Sequence, residues 1–351
     1  MPVTLQTPGN FALKSPAKNA SALALFTGSL DSILAAKVVL QQGIAVTGIC
    51  LQTPFTRGAE QARKAADGLG ISLRVISAAE SYLDLIRRPR FGYATALAPC
   101  LDCRIWMYQQ ATGVMVESGA AFLVTGDVIG QKPAGQRRQD FETVDHHAGL
   151  TGQVLRPLSA RLLPMSQPEQ QGAIARESLY SFQGQGRKEL FALARELGVE
   201  KLAKGASGGE CLLTDAGYAG KVRDLIAIEP PAEAWEFALL RIGRHFRLTS
   251  SLKAIVGKNQ AENEQLAASF RVAPGNQATL LKPHEWNGPS VLITGNCQEQ
   301  DILSAAGLLG RFARLTIGEK FSVQVESNGK SSVIRAVMTD ASMQIATLGS
   351  A

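Results

Sequence analysis

The stretch Leu23-Ala24-Leu25-Phe26-Thr27-Gly28-Ser29-Leu30-Asp31-Ser32 constrains the fold more than any other. Ala22 to Phe26 reads as a buried parallel strand, and Ile33 to Gln41, with apolar residues at Ile33, Leu34, Val38 and Val39, reads as a helix. Between them Gly28 lets the backbone turn closely, and Thr27, Ser29 and Ser32 offer hydroxyls. The first free N–H groups of the helix face this turn, which suits an anion. Asp31 is the odd member, because a carboxylate beside a phosphate repels it unless it caps the helix, holds the loop or shares a Mg²⁺. The combination points to a nucleotide with a metal ion. It is neither a Walker A loop, since no Gly-Lys-Ser/Thr follows, nor the dinucleotide fingerprint, since the glycine spacing is absent. The bland alternative is an ordinary strand–turn–helix capped by Asp31 or Ser32.

Beyond Gln41 the strand–helix theme repeats. Ile44 to Leu51 and Ser72 to Ile76 read as further strands, with a helix over 57–69 between them, and Phe122 to Thr125 as a fourth. Strands alternating with helices predict a parallel sheet whose ligand sits beyond the carboxyl ends of the strands, where Thr27 to Ser32 lies. The fourth strand runs into Gly126 and Asp127, delivering polar groups to the same edge for adenine, ribose or substrate. At 351 residues, 45% hydrophobic and 19% charged, the chain has room for two or three domains. Residues 1–20, interrupted by Pro2, Pro8 and Pro16, read as an extension. No long apolar segment and no apolar leader core are present, so the expected place is the cytoplasm, with no membrane partner. The net charge of +6 and pI near 9.1 fit a polyanionic partner without establishing one.

Five cysteines are too few for a secreted disulfide scaffold. Cys50 and Cys297 adjoin apolar strands and read as packing residues. Cys100 and Cys103 open a helix expected from Arg104 to Ser118, where the helix N-terminus favours thiolate, and Cys211 follows a glycine-rich turn. Zinc wants a fourth ligand that no residue supplies convincingly, whereas three thiolates can hold a [4Fe–4S] cluster with one iron open. The basic run Arg87, Arg88, Arg90 precedes Phe91-Gly92-Tyr93. Arg137 and Arg138 read equally as a polyanion face or a solvated turn. His146 and His147, about 100° apart on a helix, are poor joint metal ligands.

Together the loop, the Pro-Cys-x-x-Cys and the Gly-Gly-x-Cys element resemble the PP-loop tRNA thiolation enzymes, the 2-thiouridylases and 4-thiouridine synthases. The loop motif of that family is Ser-Gly-Gly-x-Asp-Ser; here Thr27 replaces the first Ser and Ser29 the second Gly, whose Cβ predicts a slightly more open loop. Glu210 is an insertion in the usual Gly-Gly-Cys-Leu-Leu-Thr, and a carboxylate beside Cys211 is expected to displace the thiolate or raise its pKa. The resemblance is closest to a thiouridylase-like or tRNA methyltransferase-like branch, through Gly130-Gln131-Lys132-Pro133, Gln136-Arg137-Arg138 and Leu155-Arg156-Pro157-Leu158-Ser159-Ala160. It covers about residues 21–225. It implies an α/β PP-loop domain of the adenine nucleotide alpha hydrolase-like, Rossmann-like class over 21–228, with ATP on Thr27, Gly28, Ser29, Asp31, Ser32, Gly126 and Asp127. It also implies Mg²⁺, a tRNA substrate, a sulfur donor that is free sulfide or a carrier protein, and catalysis by Asp31, Cys100, Cys103 and Cys211. A uracil carbonyl is adenylated and its oxygen replaced by sulfur. The cysteines either ligate a [4Fe–4S] cluster or pass a persulfide from Cys103 or Cys211; the cluster is the favoured version because three thiols exceed what a relay requires. A homodimer is left open.

Glu229-Pro230-Pro231 breaks the chain, and a smaller α+β domain is expected over 232–351. Lys253-Ala254-Ile255-Val256-Gly257-Lys258-Asn259 reads as strand and glycine turn before a helix, similar to the RNA-binding module of NFACT proteins, which act in ribosome-associated quality control. Arg241, Arg244, Arg247, Lys253 and Lys258 are expected to form one basic RNA-binding surface, the alternative being a solvated sheet face. Ile242, Phe246 and Leu248 would bury the other face, and Asn328-Gly329 predicts a hairpin turn. Two rival functions remain: adenylation of a small molecule or carrier protein, and RNA binding without catalysis at a degenerate nucleotide site.

Overall fold

The computed structural model describes residues 20–56, 59–78, 81–132, 134–204, 211–228, 232–275 and 277–348. Residues 1–19, which hold the expected extension, and Glu210 lie outside them. The chain forms two compact units that divide between Leu212 and Leu213.

The first unit is built on five parallel strands: β1 (Ser21–Leu25), β2 (Ala45–Gln52), β3 (Leu73–Ser77), β4 (Phe122–Val124) and β5 (Val154–Leu155). Their order is β3-β2-β1-β4-β5. The chain winds outward from β1 to β3 and then crosses back to the other side of β1, so the connections diverge between β1 and β4. That divergence opens a crevice at the carboxyl ends of β1 and β4. Helices α1 (Leu30–Gln41), α2 (Glu60–Leu69), α3 (Ser81–Arg87), α4 (Cys100–Ser118) and α5 (Arg138–His147) lie along the crossovers, followed by the short α6 (Gln167–Gln170), α7 (Lys188–Glu196) and α8 (Glu200–Ala203).

Alternation along β1 divides the core in two. Ala22 and Ala24 pack with Phe26 against Ile33, Leu34 and Val38 of α1 and Leu190 and Leu193 of α7. Leu23 faces the other way, against Ile105, Tyr108, Ala111 and Met115 of α4. The spacing of those α4 residues is that of a single helical face. Helix α1 is buried nearly all round, hence its almost uninterrupted apolar sequence. The expected helix over 57–69 starts at Glu60, with residues 57 and 58 outside the described range. The expected helix from Arg104 starts at Cys100, directly after Pro99, so both cysteines lie in its first turn.

The second unit carries α9 (Ala216–Ile226) and α10 (Ala234–Leu239), then strands β6 (Arg244–Arg247) and β7 (Lys253–Val256), α11 (Gln260–Val272), β8 (Ala278–Pro283), β9 (Val291–Thr294), α12 (Glu299–Phe312), β10 (Lys320–Ser327), β11 (Lys330–Val337), α13 (Asp340–Gln344) and β12 (Thr347–Leu348). The seven strands form one sheet, β11-β10-β8-β9-β7-β6-β12, with every pairing antiparallel. Leu308 and Leu309 of α12 cover one face, and Leu266 of α11 with Leu239 of α10 the other. The unit begins before the Pro230-Pro231 break because Asp224 of α9 is ion-paired to Arg247 and Lys253 in the sheet. Asn328 and Gly329 turn with φ of 53° and 71° between β10 and β11, the left-handed pair that a tight hairpin requires.

Gly28 is fixed by two separate constraints. Its φ is +72°, and a Cβ there would lie 2.7 Å from the backbone of Gln61. Gly28→Ala is therefore expected to lower stability by about 1–3 kcal/mol and to weaken ATP binding, measured by urea denaturation and titration calorimetry. An alanine variant unchanged in both would show that the loop does not need this conformation.

Candidate nucleotide and thiol site

The loop after β1 is organised by hydroxyls. Ser29, at φ −72° and ψ 159°, is the N-cap of α1, and its side chain accepts from the Ser32 N–H at 3.4 Å. An extended N-cap has no need of glycine, so Ser29 is accommodated by capping rather than by opening the loop. Thr27 Oγ1 donates to Ser29 Oγ at 3.0 Å, and Ser32 Oγ donates to the Ser29 carbonyl at 3.0 Å. Thr27, Gly28, Ser29 and Ser32 thus form one continuous polar rim.

Asp31 stands on the first turn of α1 and meets residues from two distant segments. Gln131 Nε2 donates to its Oδ1 at 3.4 Å, and Arg187 Nη2 approaches the same oxygen at 3.7 Å. Burial pushes the carboxyl above its ordinary value, against the opposing charges of Arg187 and Lys132. Arg187, immediately before α7, has its Nε and Nη2 buried with no hydrogen-bond partner among the described residues. With Nη2 held only by that long contact to Asp31 and Nε without a partner, the guanidinium keeps donor capacity for an anion beside the loop. The sequence analysis does not single out Arg187, although Gly184-Gln185-Gly186-Arg187-Lys188 has the signal: glycines and cations just ahead of a helix.

Gly126 and Asp127 close the opposite rim, where β4 ends. A Cβ on Gly126 would lie 2.5–2.7 Å from the backbone of Asp31 and Ser32, so the end of β4 touches the first turn of α1 there. Asp127, expected at the nucleotide, is engaged by the protein itself. It accepts from Arg104 Nη1 at 2.6 Å, Tyr108 Oη at 3.0 Å, Thr125 Oγ1 at 3.0 Å and Gln136 Nε2 at 3.2 Å. Arg156 lies 3.9 Å away and binds Asp145 through two hydrogen bonds of 2.7 and 2.9 Å. Burial works to raise the Asp127 carboxyl, but Arg104 and Arg156 outweigh it and hold the carboxyl well below the usual range.

The thiols sit beside this cluster. Burial pushes Cys103 up to about 12, opposed by the Tyr82 hydroxyl 3.1 Å from its sulfur and reinforced by Cys211 and Cys100. Burial also raises Cys100, while Arg104 and Lys132 pull it down. The expected thiolate character at the helix N-terminus is thus overridden: desolvation outweighs the helix field. The half-buried Cys211 precedes Leu212, whose N–H donates to the Phe55 carbonyl at 3.0 Å. Among the described residues no three His, Cys, Asp or Glu side chains group closely enough to hold a metal ion. Cys50 lies in the core of the first unit, and Cys297 packs against the core of the second with its thiol on Thr279.

Arg137 is exposed and clamps Asp140 through Nε and Nη2, and Arg138 is exposed at the start of α5. In the second unit the expected basic surface does not assemble. Lys253 is 2% exposed and pushed down to about 8 by burial, and both it and Arg247 pair with Asp224. Arg244 points to the other face of the sheet, its guanidinium over the Phe312 ring at 4.8 Å. Only Arg241 and Lys258 of the five are exposed. The expected alternation fails because β6 lies inside the sheet, with helices covering both of its faces: His245 is as buried as Phe246.

Removing the carboxylate at the centre of the first unit strands the buried guanidinium of Arg104, while Arg156 keeps its two hydrogen bonds to Asp145. Asp127→Ala is expected to cost about 3–5 kcal/mol in urea denaturation. With its folded pKa depressed, Asp127 adds stability that is complete above about pH 5 and declines as pH falls through and below the ordinary carboxylate value near 3.9. The variant should lose that part of the acid dependence; an unchanged pH–stability curve would contradict the assignment.

Two protein families match the two units. Residues 18–161 match the family of the thiamine biosynthesis protein (ThiI), and residues 243–346 match the NFACT protein RNA binding domain. The tRNA-specific 2-thiouridylase MnmA of Syntrophotalea carbinolica is 25% identical over 249 residues, 65% of this chain and 65% of the relative. A crystal structure of a 4-thiouridine synthetase–RNA complex with bound ATP is 21% identical with a TM-score of 0.39, covering 58% of this chain and 50% of the other. A predicted subunit of a tRNA methyltransferase from Methanocaldococcus jannaschii is 14% identical with a TM-score of 0.34, covering 50% and 76%. The chain thus spans about two thirds of the 2-thiouridylase and half of the synthetase. The first unit is thus similar to the ThiI family and the second to the NFACT protein RNA binding domain.

Proposed function

We propose that the chain is an ATP-dependent sulfur transferase acting on a uridine of tRNA. The observation that carries the reading is the end of β4, where Gly126 lies against the backbone of Asp31 and Ser32 in the hydroxyl loop and the next residue, Asp127, holds Arg104 in the helix that begins at Cys100. A phosphate-type turn and a group of thiols therefore border one site. The MnmA relative and the RNA-binding domain support the choice of tRNA.

In this reading the ATP phosphates lie along Thr27 to Ser32, and Arg187 turns its unpartnered N–H groups onto the β- and γ-phosphates. The uracil carbonyl oxygen attacks the α-phosphorus, the bond to the β-phosphate breaks, and pyrophosphate leaves along the loop. Sulfur then adds to the activated carbon, and AMP departs with the former carbonyl oxygen. Asp31 is placed to share a Mg²⁺ with the phosphates, which would neutralise their charge. Cys100, Cys103 and Cys211 are chemically suited to a [4Fe–4S] cluster, which would supply an open iron able to bind sulfide. Among the described residues these thiols are not drawn together as a ligand set; a bound cationic centre would favour their thiolate forms. The same thiols suit a persulfide route, in which Cys103 or Cys211 carries the sulfane sulfur and the other closes a disulfide as sulfur leaves.

With ATP, tRNA and sulfide, the purified protein should form AMP and pyrophosphate together with thiolated tRNA. Asp31→Ala should abolish AMP formation and leave tRNA affinity unchanged. Arg187→Ala should weaken ATP binding about tenfold or more, the loss of a charge-assisted hydrogen bond. AMP formation that survives Asp31→Ala would refute the loop assignment. Alanine at Cys100, Cys103 or Cys211 should each eliminate iron and sulfide after anaerobic reconstitution while the fold persists. Full iron content in any one of them removes the three-ligand cluster.

A further inference from the structure

Three sequence features that the nucleotide and thiol site leaves unused converge on one surface of the first unit: Arg88 and Arg90, the turn Phe91-Gly92-Tyr93, and His146-His147. The buried carboxylate of Asp102, which lies between Cys100 and Cys103, accepts the backbone N–H groups of Arg90 and Phe91 at 2.9 and 3.0 Å. The aromatic turn is thereby latched to the first turn of α4, next to the thiols. Gly92, at φ +74°, reverses the chain between the two rings. Phe91 is 37% and Tyr93 42% exposed. Neither ring is loose: Tyr93 Oη donates to the Ile86 carbonyl at 2.7 Å, the Arg90 guanidinium sits 5.4 Å from the Phe91 ring, and the His147 ring meets Phe91 edge-on at 5.3 Å. His146 continues the row 5.3 Å beyond, and Gln109 of α4 holds the His147 carbonyl at 3.2 Å.

We infer that this surface is a stacking platform for an unpaired base of the RNA substrate, adjacent to the uridine presented to the thiols. The inference rests on the proposed RNA thiolation. Exposed aromatic rings held at fixed positions and flanked by guanidinium groups are what a single-stranded nucleic acid needs, a π-face for the base and cations for the phosphates. Charge argues for RNA over a protein partner: Arg88 and Arg90 precede the rings, while Arg87 is ion-paired to Asp84 and Asp102 is buried on the backbone of the turn. The position argues for a role at the target, because the platform and Cys100 and Cys103 hang from the same helical turn.

The test uses the full chain, a tRNA transcript, and an RNA stem–loop with unpaired uridines, beside the same stem–loop made abasic in its loop. Phe91→Ala should bind the intact stem–loop about tenfold more weakly, the effect of one lost base stack, and bind the abasic one as the parent protein does. Phe91→Trp should retain affinity, and its added fluorescence should be quenched by the intact loop but not by the abasic loop. If the parent chain binds the stem–loop while Phe91→Ala binds equally well and Phe91→Trp is not quenched, the platform is overturned and the thiolation reading stands. If both loops bind the parent chain equally, the surface is a bare polyanion face and the platform is again overturned. If the parent chain binds neither the tRNA transcript nor the stem–loop, the RNA reading fails and the platform with it.

Discussion

The first unit depends on one buried carboxylate. Asp127 leaves the end of β4 and is satisfied by Arg104 of α4, Tyr108 of the same helix, Thr125 and Gln136. A charge in that position is sustained only when its partners are fully in place. Its hydrogen bonds therefore fix the rotation of α4, and with it the direction of Cys100 and Cys103. One residue earlier, Gly126 sits against the backbone of Asp31 and Ser32, so the same strand end also fixes where the nucleotide loop stands. The hydroxyl loop and the thiol-bearing helix are thus held in register by adjacent residues.

Electrostatics then differentiate the halves. On the nucleotide side the buried Nε of Arg187 is left without a hydrogen-bond partner among the described residues, whereas on the thiol side the buried guanidinium of Arg104 is committed to Asp127. Cys103 is driven toward its neutral form by burial and by its sulfur neighbours. A thiol so placed becomes reactive only when a positive centre, a sulfur donor or a change in solvation arrives.

Much of this is legible in the sequence. The parallel strands and the loop are marked by apolar runs that end in small polar residues, and the Asn328-Gly329 hairpin by its turn chemistry. The seven-stranded antiparallel sheet of the second unit is only partly visible, because β6 and β7 carry Arg247 and Lys253 into its interior, where Asp224 compensates them from a helix about twenty residues earlier in sequence. Such pairing leaves no local pattern, and a basic strand then reads as a solvent-facing one. The partners of Asp127 are likewise not legible: an acid at the end of a parallel strand is visible, but Arg104 and Tyr108, which hold it, lie about twenty residues earlier on α4. Arg187 carries a local signal, glycines and cations just ahead of a helix, but nothing in that signal says that α7 returns to the nucleotide loop rather than to another surface.

The most direct measurement is nucleoside mass spectrometry of tRNA from cells with and without this protein. One thiolated uridine should disappear when the protein is absent, return with the parent chain, and fail to return with Asp31→Ala or Cys103→Ala. An identical set of thionucleosides in both cell populations would contradict the assignment of this chain to tRNA thiolation.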